Sequence, residues 1–333
     1  KEPHRAYEKG SGVKHGKGLG DVGLPAYLPD CEEVRSDMLD YALEVERFDD
    51  DLGKMMALLE QRGELENTIV LVTGDNGFPF PRAKATVYQN GCHVPLAVRW
   101  GRNCPPGREV TDFVSFVDFA PTLLEAAGLD PEGRGYAGRS FLDLVSSASS
   151  GRVDPHRDHV FTGRERHGYN RPGNLGYPMR SIVTDEYLYI RNFEPENGVS
   201  DVDGSPTRDV MWNGRNDPAL RRYWDLCWGL RPYDELYVAV DGPDCIRNGA
   251  GDPDHLTQLA LLKERLFDAL RRQQDPRMDG RGWIFDCFPY FGTPHVDKDT
   301  FEDKEYNYYQ KRCVPDGQPK PPMNAKGGWA RWV

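Results

Sequence analysis

The apolar positions change period several times along the chain. Met38, Tyr41, Ala42, Val45, Phe48, Leu52, Met55, Met56 and Leu59 recur every three or four residues, the spacing of one helix face. They predict a helix over 33–61, closed by Gly63. Thr68-Ile69-Val70-Leu71-Val72-Thr73 is almost wholly apolar and β-branched, which predicts a buried parallel strand. It stops at Gly74-Asp75-Asn76-Gly77. A second strand is predicted over 94–100, and a helix over 118–127 with Pro121 in its first turn, where proline is tolerated. Residues 1–30 read as a Gly-rich loop, and the three Asp residues 49–51 as a solvated helix face. Helix, strand, loop, strand and helix in that order form an α/β pattern.

From about residue 150 the pattern breaks into shorter pieces. Strands are predicted over 159–163, 179–184 and 187–192, the last two joined as a hairpin by Asp185-Glu186. Residues 194–220 read as a long polar loop, 235–238 as a further strand. An amphipathic helix is predicted over 256–272, with Leu259, Leu262, Leu266 and Leu270 on one stripe. The tail from 275 is rich in aromatic residues, Gly and Pro. Two units follow: an α/β domain over 1–150 and a smaller α+β subdomain over 151–333.

The 333 residues suffice for a large core. A formal charge of −11 argues against nucleic acid or an anionic membrane surface as partner, so an anionic ligand needs a local basic pocket. No apolar run is long enough to span a bilayer. The 7 cysteines include no C-x-x-C pair, which excludes a zinc ribbon and leaves one or two disulfides open.

Asp75 and Asn76 are the strongest chemical signal. Ligands of α/β sheets bind beyond the carboxyl ends of the strands, and this pair offers oxygen donors of the kind hard cations prefer. The same tetrapeptide is also ordinary turn chemistry. Lys84 follows in Pro79-Phe80-Pro81-Arg82-Ala83-Lys84, where two prolines stiffen the loop and the ammonium suits a tetrahedral oxyanion. Its alternative is a solvated loop lysine. His4, in Glu2-Pro3-His4-Arg5, can donate a proton or contact an anion, or is a surface histidine. Arg164-Glu165-Arg166-His167, with Arg171 and Arg180 nearby, is the best basic patch on an acidic background. It can recognise sulfate or carboxylate groups, or pair with Glu165, Asp185 and Glu186.

Together these pieces resemble the core of the sulfatases: the run 67–77, then Lys84, then Asn90-Gly91-Cys92-His93-Val94-Pro95-Leu96, then Val117-Asp118-Phe119-Ala120-Pro121-Thr122-Leu123-Leu124. The Pro3-His4-Arg5 segment, the Pro-Phe-Pro after Asp-Asn-Gly, Tyr177-Pro178-Met179-Arg180-Ser181 and Gly163-Arg164-Glu165-Arg166-His167 are similar to the N-sulfoglucosamine sulfohydrolase branch and its bacterial polysaccharide relatives. The resemblance implies an alkaline-phosphatase-like α/β sheet sandwiched by helices, followed by a small antiparallel sheet with a packed helix. It implies Ca²⁺ (or Mg²⁺) held partly by Asp75 and Asn76, sulfate contacts from Lys84 and His4, with His4 also a candidate proton donor, and saccharide contacts from Arg5, Arg166 and His167. It implies a sulfated saccharide as substrate, and an exported protein, periplasmic or extracellular, or lysosomal if eukaryotic.

Two departures stand out. The family's formylglycine nucleophile arises from Cys or Ser in C-x-P-S-R upstream of the Pro-His segment, together with two further metal Asp residues. The chain is therefore expected to be a C-terminal portion that works with an N-terminal sulfatase segment. Cys104-Pro105-Pro106-Gly107-Arg108 fits the looser C-x-P-x-R but follows the second strand and has Gly in place of Ser, so it reads as a decoy. Second, the sulfamidase itself has Arg where Lys84 stands, and Lys is the usual choice for O-sulfate esters. Two other readings stay open. One is a non-catalytic relative that binds sulfated glycans. The other is a phosphatase or phosphodiesterase of the same fold, although those generally need His where Asn76 stands.

Overall fold

The computed structural model describes residues 7–167, 176–196 and 203–287. Its elements, in chain order, are α1 (Ser11–Lys14), α2 (Glu32–Gln61), β1 (Val70–Thr73), α3 (Gln89–Cys92), β2 (Leu96–Arg99), α4 (Phe119–Ala126), α5 (Leu142–Ser146), β3 (His159–Arg164), β4 (Met179–Thr184), β5 (Tyr187–Asn192), α6 (Pro206–Asn213), α7 (Arg221–Trp228), β6 (Asp234–Val238) and α8 (Leu256–Arg272).

α2 is the long helix that the period predicted, and Gly63 closes it at φ 70°. Its N-terminal half buries Val34, Met38, Leu39 and Leu43, while Val45, Met55 and Leu58 stay exposed. The 1–30 region is not all loop. α1 packs so closely on α2 that a Cβ at Gly12 would lie 2.7 Å from the Leu39 Cβ, and Asp40 accepts from the Gly10 and Gly12 amides at 2.7 and 2.8 Å.

β1 departs from expectation. It pairs antiparallel with β2 as a two-stranded ribbon, Val70 opposite Arg99 and Thr73 opposite Leu96. Neither strand is fully buried. The apolar run was read as a strand covered on both faces, but among the described residues no parallel neighbour flanks it.

The second sheet has the order β3-β4-β5-β6, antiparallel throughout, with Asp185-Glu186 turning β4 into β5. Strand alternation splits its core into two. Met179, Val183, Leu188, Ile190 and Tyr237 face Val87 and Tyr88, while Ile182, Tyr189 and Leu236 face the Leu262, Leu266 and Leu270 stripe of α8. A third cluster joins Tyr27, Leu28, Val34, Met38 and Phe80 to Met211, Cys227 and Trp228 of α6 and α7. Two of these clusters thus draw side chains from both sides of residue 150.

The segment 194–220 also differs from expectation, because it contains α6. Ser205 accepts from the Arg208 amide, Pro206 occupies the first turn, and buried Asp37 of α2 accepts from the Thr207 amide and hydroxyl at 3.2 and 2.6 Å. A polar composition hid a capped helix that packs inward through Thr207, Val210, Met211 and Trp212. The five cysteines with described side chains, Cys31, Cys92, Cys104, Cys227 and Cys245, are all free.

α8 supplies a direct test of the core. Leu266 is fully buried and Leu261 is 54% exposed. Leu266→Ala should lower unfolding free energy by about 2–5 kcal/mol, and Leu261→Ala by under about 0.5 kcal/mol, in chemical denaturation of the full-length protein.

Candidate functional site

The loop after β1 is locked by two glycines. A Cβ on Gly77 would lie 2.1 Å from the Asn90 carbonyl oxygen, and one on Gly91 would lie 2.3 Å from the Thr86 hydroxyl. Only glycine permits this approach, and the Gly77 amide donates to the Gly91 carbonyl at 3.0 Å. Phe78 and Phe80 pack on Tyr41 with ring centroids 6.0 Å apart in each pair.

Asp75 and Asn76 are exposed at the mouth of this loop, and the Asn76 amide donates to the Asp75 carboxylate. Their oxygens are available to a hard cation, but among the described residues no group of three or more His, Cys, Asp or Glu is placed to hold a metal ion. Any full coordination shell would need donors beyond these two.

Lys84 is only 9% exposed. Its ammonium donates to the Asp203 carboxylate at 2.5 Å. The backbone on either side of it is left-handed, with φ 64° at Arg82 and 59° at Ala85. Each such non-Gly residue costs about 1–2 kcal/mol, so the surrounding packing must enforce the turn.

Lys84 and His167 are brought together across the fold. Burial first, then the positive charges of Arg164 and Lys84, hold the His167 imidazolium below its ordinary range, and Asp203 opposes them. Arg164 reaches into the same place, donating to the Ala85 carbonyl at 2.5 Å. A buried ammonium, a guanidinium and a neutral imidazole therefore lie near one another, with Asp203 as the carboxylate among the described residues that acts on them; such a grouping suits an oxyanion. Asp203 and Arg82 are absent from the sequence-based site. Asp203 lies in a Gly/Asp-rich stretch with no local motif, and only the fold brings it to Lys84.

The charge-pairing alternative for the basic patch holds for part of it. Glu165 accepts from Arg180 at 2.5 Å and Arg277 at 2.7 Å, and Arg180 also donates to Asp275 at 2.6 Å. This network turns Glu165 inward and leaves Arg166 and His167, half-buried, as the neighbours along the chain. His4, Arg5 and Arg171 lie outside the described residues. Arg108 of the C-x-P-x-R run donates to the Leu144 and Val145 carbonyls at 3.0 and 2.7 Å, closing the end of α5, a structural duty that agrees with the decoy reading. Burial pushes the Cys227 thiol up to about 12, and the Cys92 and Cys245 thiols up to about 11, so none supplies a ready thiolate.

Two family models match this chain: "Sulfatase" over residues 11–129 and "N-sulphoglucosamine sulphohydrolase, C-terminal" over residues 80–207. Over these residues the chain is similar to the sulfatases. The second match makes it similar to the sulfamidase branch. It is 27% identical to an ulvan-active sulfatase of Formosa agariphila over 73% of this chain and 39% of the relative. It is also 27% identical to human N-sulphoglucosamine sulphohydrolase, over 77% of this chain and 52% of the relative. The chain thus spans about two fifths to half the length of these relatives. A Bacteroides thetaiotaomicron sulfatase structure from a glycosaminoglycan locus superposes with a TM-score of 0.60 at 18% identity, over 86% of this chain and 55% of that one. Another structure, of a protein in complex with its substrate D-glucosamine-2-N,6-O-disulfate, gives a TM-score of 0.55 at 21% identity, over 74% of this chain and 42% of that one. The fold of this chain is the alkaline-phosphatase-like one of these structures.

The coupling between Lys84 and His167 is measurable. Because the folded imidazolium is disfavoured, His167 should titrate below about 6.5, and this group's contribution to stability should fall as pH drops through that value. Removing the ammonium in Lys84→Ala should raise the midpoint, and Asp203→Asn should lower it further. Histidine-resolved NMR titration of the wild type and both variants checks these signs.

Proposed function

We propose that this chain is the C-terminal part of a sulfatase that hydrolyses sulfate esters of a sulfated saccharide. One observation carries the reading: Lys84 is buried on the loop that Arg164 grips at Ala85, and close enough to His167 for its charge to act on the imidazole, a grouping that favours an oxyanion. Lysine at this position, in place of the sulfamidase arginine, favours an O-sulfate over an N-sulfate.

In the net reaction the bond between sulfur and the sugar oxygen breaks. An oxygen from water ends on sulfur, and the departing alcohol gains a proton. Lys84 would neutralise charge on the sulfate oxygens as the bond lengthens. His4 would contact the sulfate and deliver the proton to the leaving oxygen. His167, held neutral, can accept or donate a hydrogen bond to the saccharide without adding charge, and Arg166 and Arg5 would contact its anionic groups. Asp75 and Asn76 fit a hard divalent cation, Ca²⁺ or Mg²⁺, which when bound supplies positive charge against the sulfate. They give two of the six to eight oxygens that Ca²⁺ takes. The remainder, and the formylglycine formed from a Cys or Ser, would belong to an N-terminal sulfatase segment. The exposed apolar residues Val45, Met55, Leu58 and Leu96 support such a packing partner. The compartment would be periplasmic or extracellular, or lysosomal if eukaryotic.

In the full-length enzyme, Lys84→Ala should lower kcat/KM for a sulfate ester by about 10²–10³-fold while leaving the melting temperature within a few degrees. Full activity in that variant would reject the assignment. Elemental analysis should find Ca²⁺ in the purified protein and its loss in Asp75→Ala. Two zinc ions per chain would favour a phosphatase instead.

A further inference from the structure

The left-handed backbone that presents Lys84 uses no glycine, so side chains must impose it. Arg82 is 4% exposed. Its guanidinium donates to the Leu226 carbonyl in the last turn of α7 at 2.5 Å, to the Cys245 carbonyl at 2.5 Å and to the Tyr237 hydroxyl at 3.3 Å. It also stacks on the Tyr88 ring, 3.9 Å from the centroid. A helix C-terminus is where a cation is welcome, because its last carbonyls lack partners. Glu235 balances the charge, accepting from the Tyr88 and Tyr237 hydroxyls at 2.9 and 2.5 Å. Burial alone would weaken the Arg82 cation. Tyr88, Tyr237 and Glu235 outweigh it and hold the group above its ordinary range. On the far side of Lys84, Arg164 from β3 grips the Ala85 carbonyl.

We infer that Arg82 is a positioning residue for Lys84. It fixes the loop on one side while Arg164 fixes it on the other, so that the ammonium meets the sulfo group at one place. The inference rests on Lys84 being the sulfate contact, as proposed above.

The test uses the full-length enzyme, isothermal titration with inorganic sulfate, and turnover of an aryl sulfate. Arg82→Lys keeps the charge and loses the forked geometry. It should weaken sulfate binding and lower kcat/KM together by about 10–100-fold, as a displaced catalytic group does. Added to Lys84→Ala, it should cost almost nothing more, because its effect passes through Lys84. Ala85→Gly gives a second route that leaves the buried network whole. It should keep or raise the melting temperature, since glycine accepts positive φ, and still weaken sulfate binding. An active wild type with unchanged sulfate affinity in Arg82→Lys or Ala85→Gly, or additive losses in the double variant, would overturn the positioning role alone. A folded wild type that neither binds sulfate nor turns over the ester would overturn the Lys84 reading as well.

Discussion

A guanidinium shut away from water survives only where it meets acceptors, a ring face or an opposite charge. Arg82 Nε has no partner among the described residues, but the rest of the group meets carbonyl and hydroxyl acceptors from α7, Cys245 and β6, far along the chain, and the ring of nearby Tyr88, with the charge of Glu235 acting on it. This one side chain ties the loop after β1 to the four-stranded sheet. Removing it would leave Glu235 buried with less positive charge beside it and would release the left-handed turn around Lys84. The glycine contacts at Gly77 and Gly91 shape the loop, but they carry no charge across the interface.

The same network explains why Lys84 sits where it does. Val87 and Tyr88 pack on one face of the sheet, and Arg164 extends from its edge strand β3. The sheet's other face is filled by α8. Lys84, Arg164 and His167 therefore converge because the loop is docked on the sheet, not because their spacing in the chain brings them near. Glu165, drawn inward by Arg180 and Arg277, keeps the 164–167 segment from turning over. Burial, and then the positive groups, oppose protonation of His167, which leaves the imidazole neutral at neutral pH.

Periodicity made the long helix, the β4–β5 hairpin, β3, β6 and α8 legible, because each has one clear apolar face and a recognisable stop. It failed at 194–220, where α6 is polar on most of its surface and depends on a Ser205 cap and Asp37 for its place. It also failed for β1, whose all-apolar run marks a strand but not the direction of its neighbour. Within the candidate site, Lys84, Asp75 and Asn76 stood out from their motif and from their position after an apolar strand. Asp203 and Arg82 could not, since their meaning lies in partners some 120 to 160 residues away.

Local sequence by itself determined the elements, the family likeness and the chemical types of the candidate residues. Those depend on side-chain period, turn chemistry and the donor atoms each residue carries. Tertiary structure alone decided that β1 pairs antiparallel with β2, that Arg82 is an anchor, and that Lys84 pairs with Asp203 near His167 and Arg164. Burial and charge act through space, so a polar residue's role is set by what folds against it.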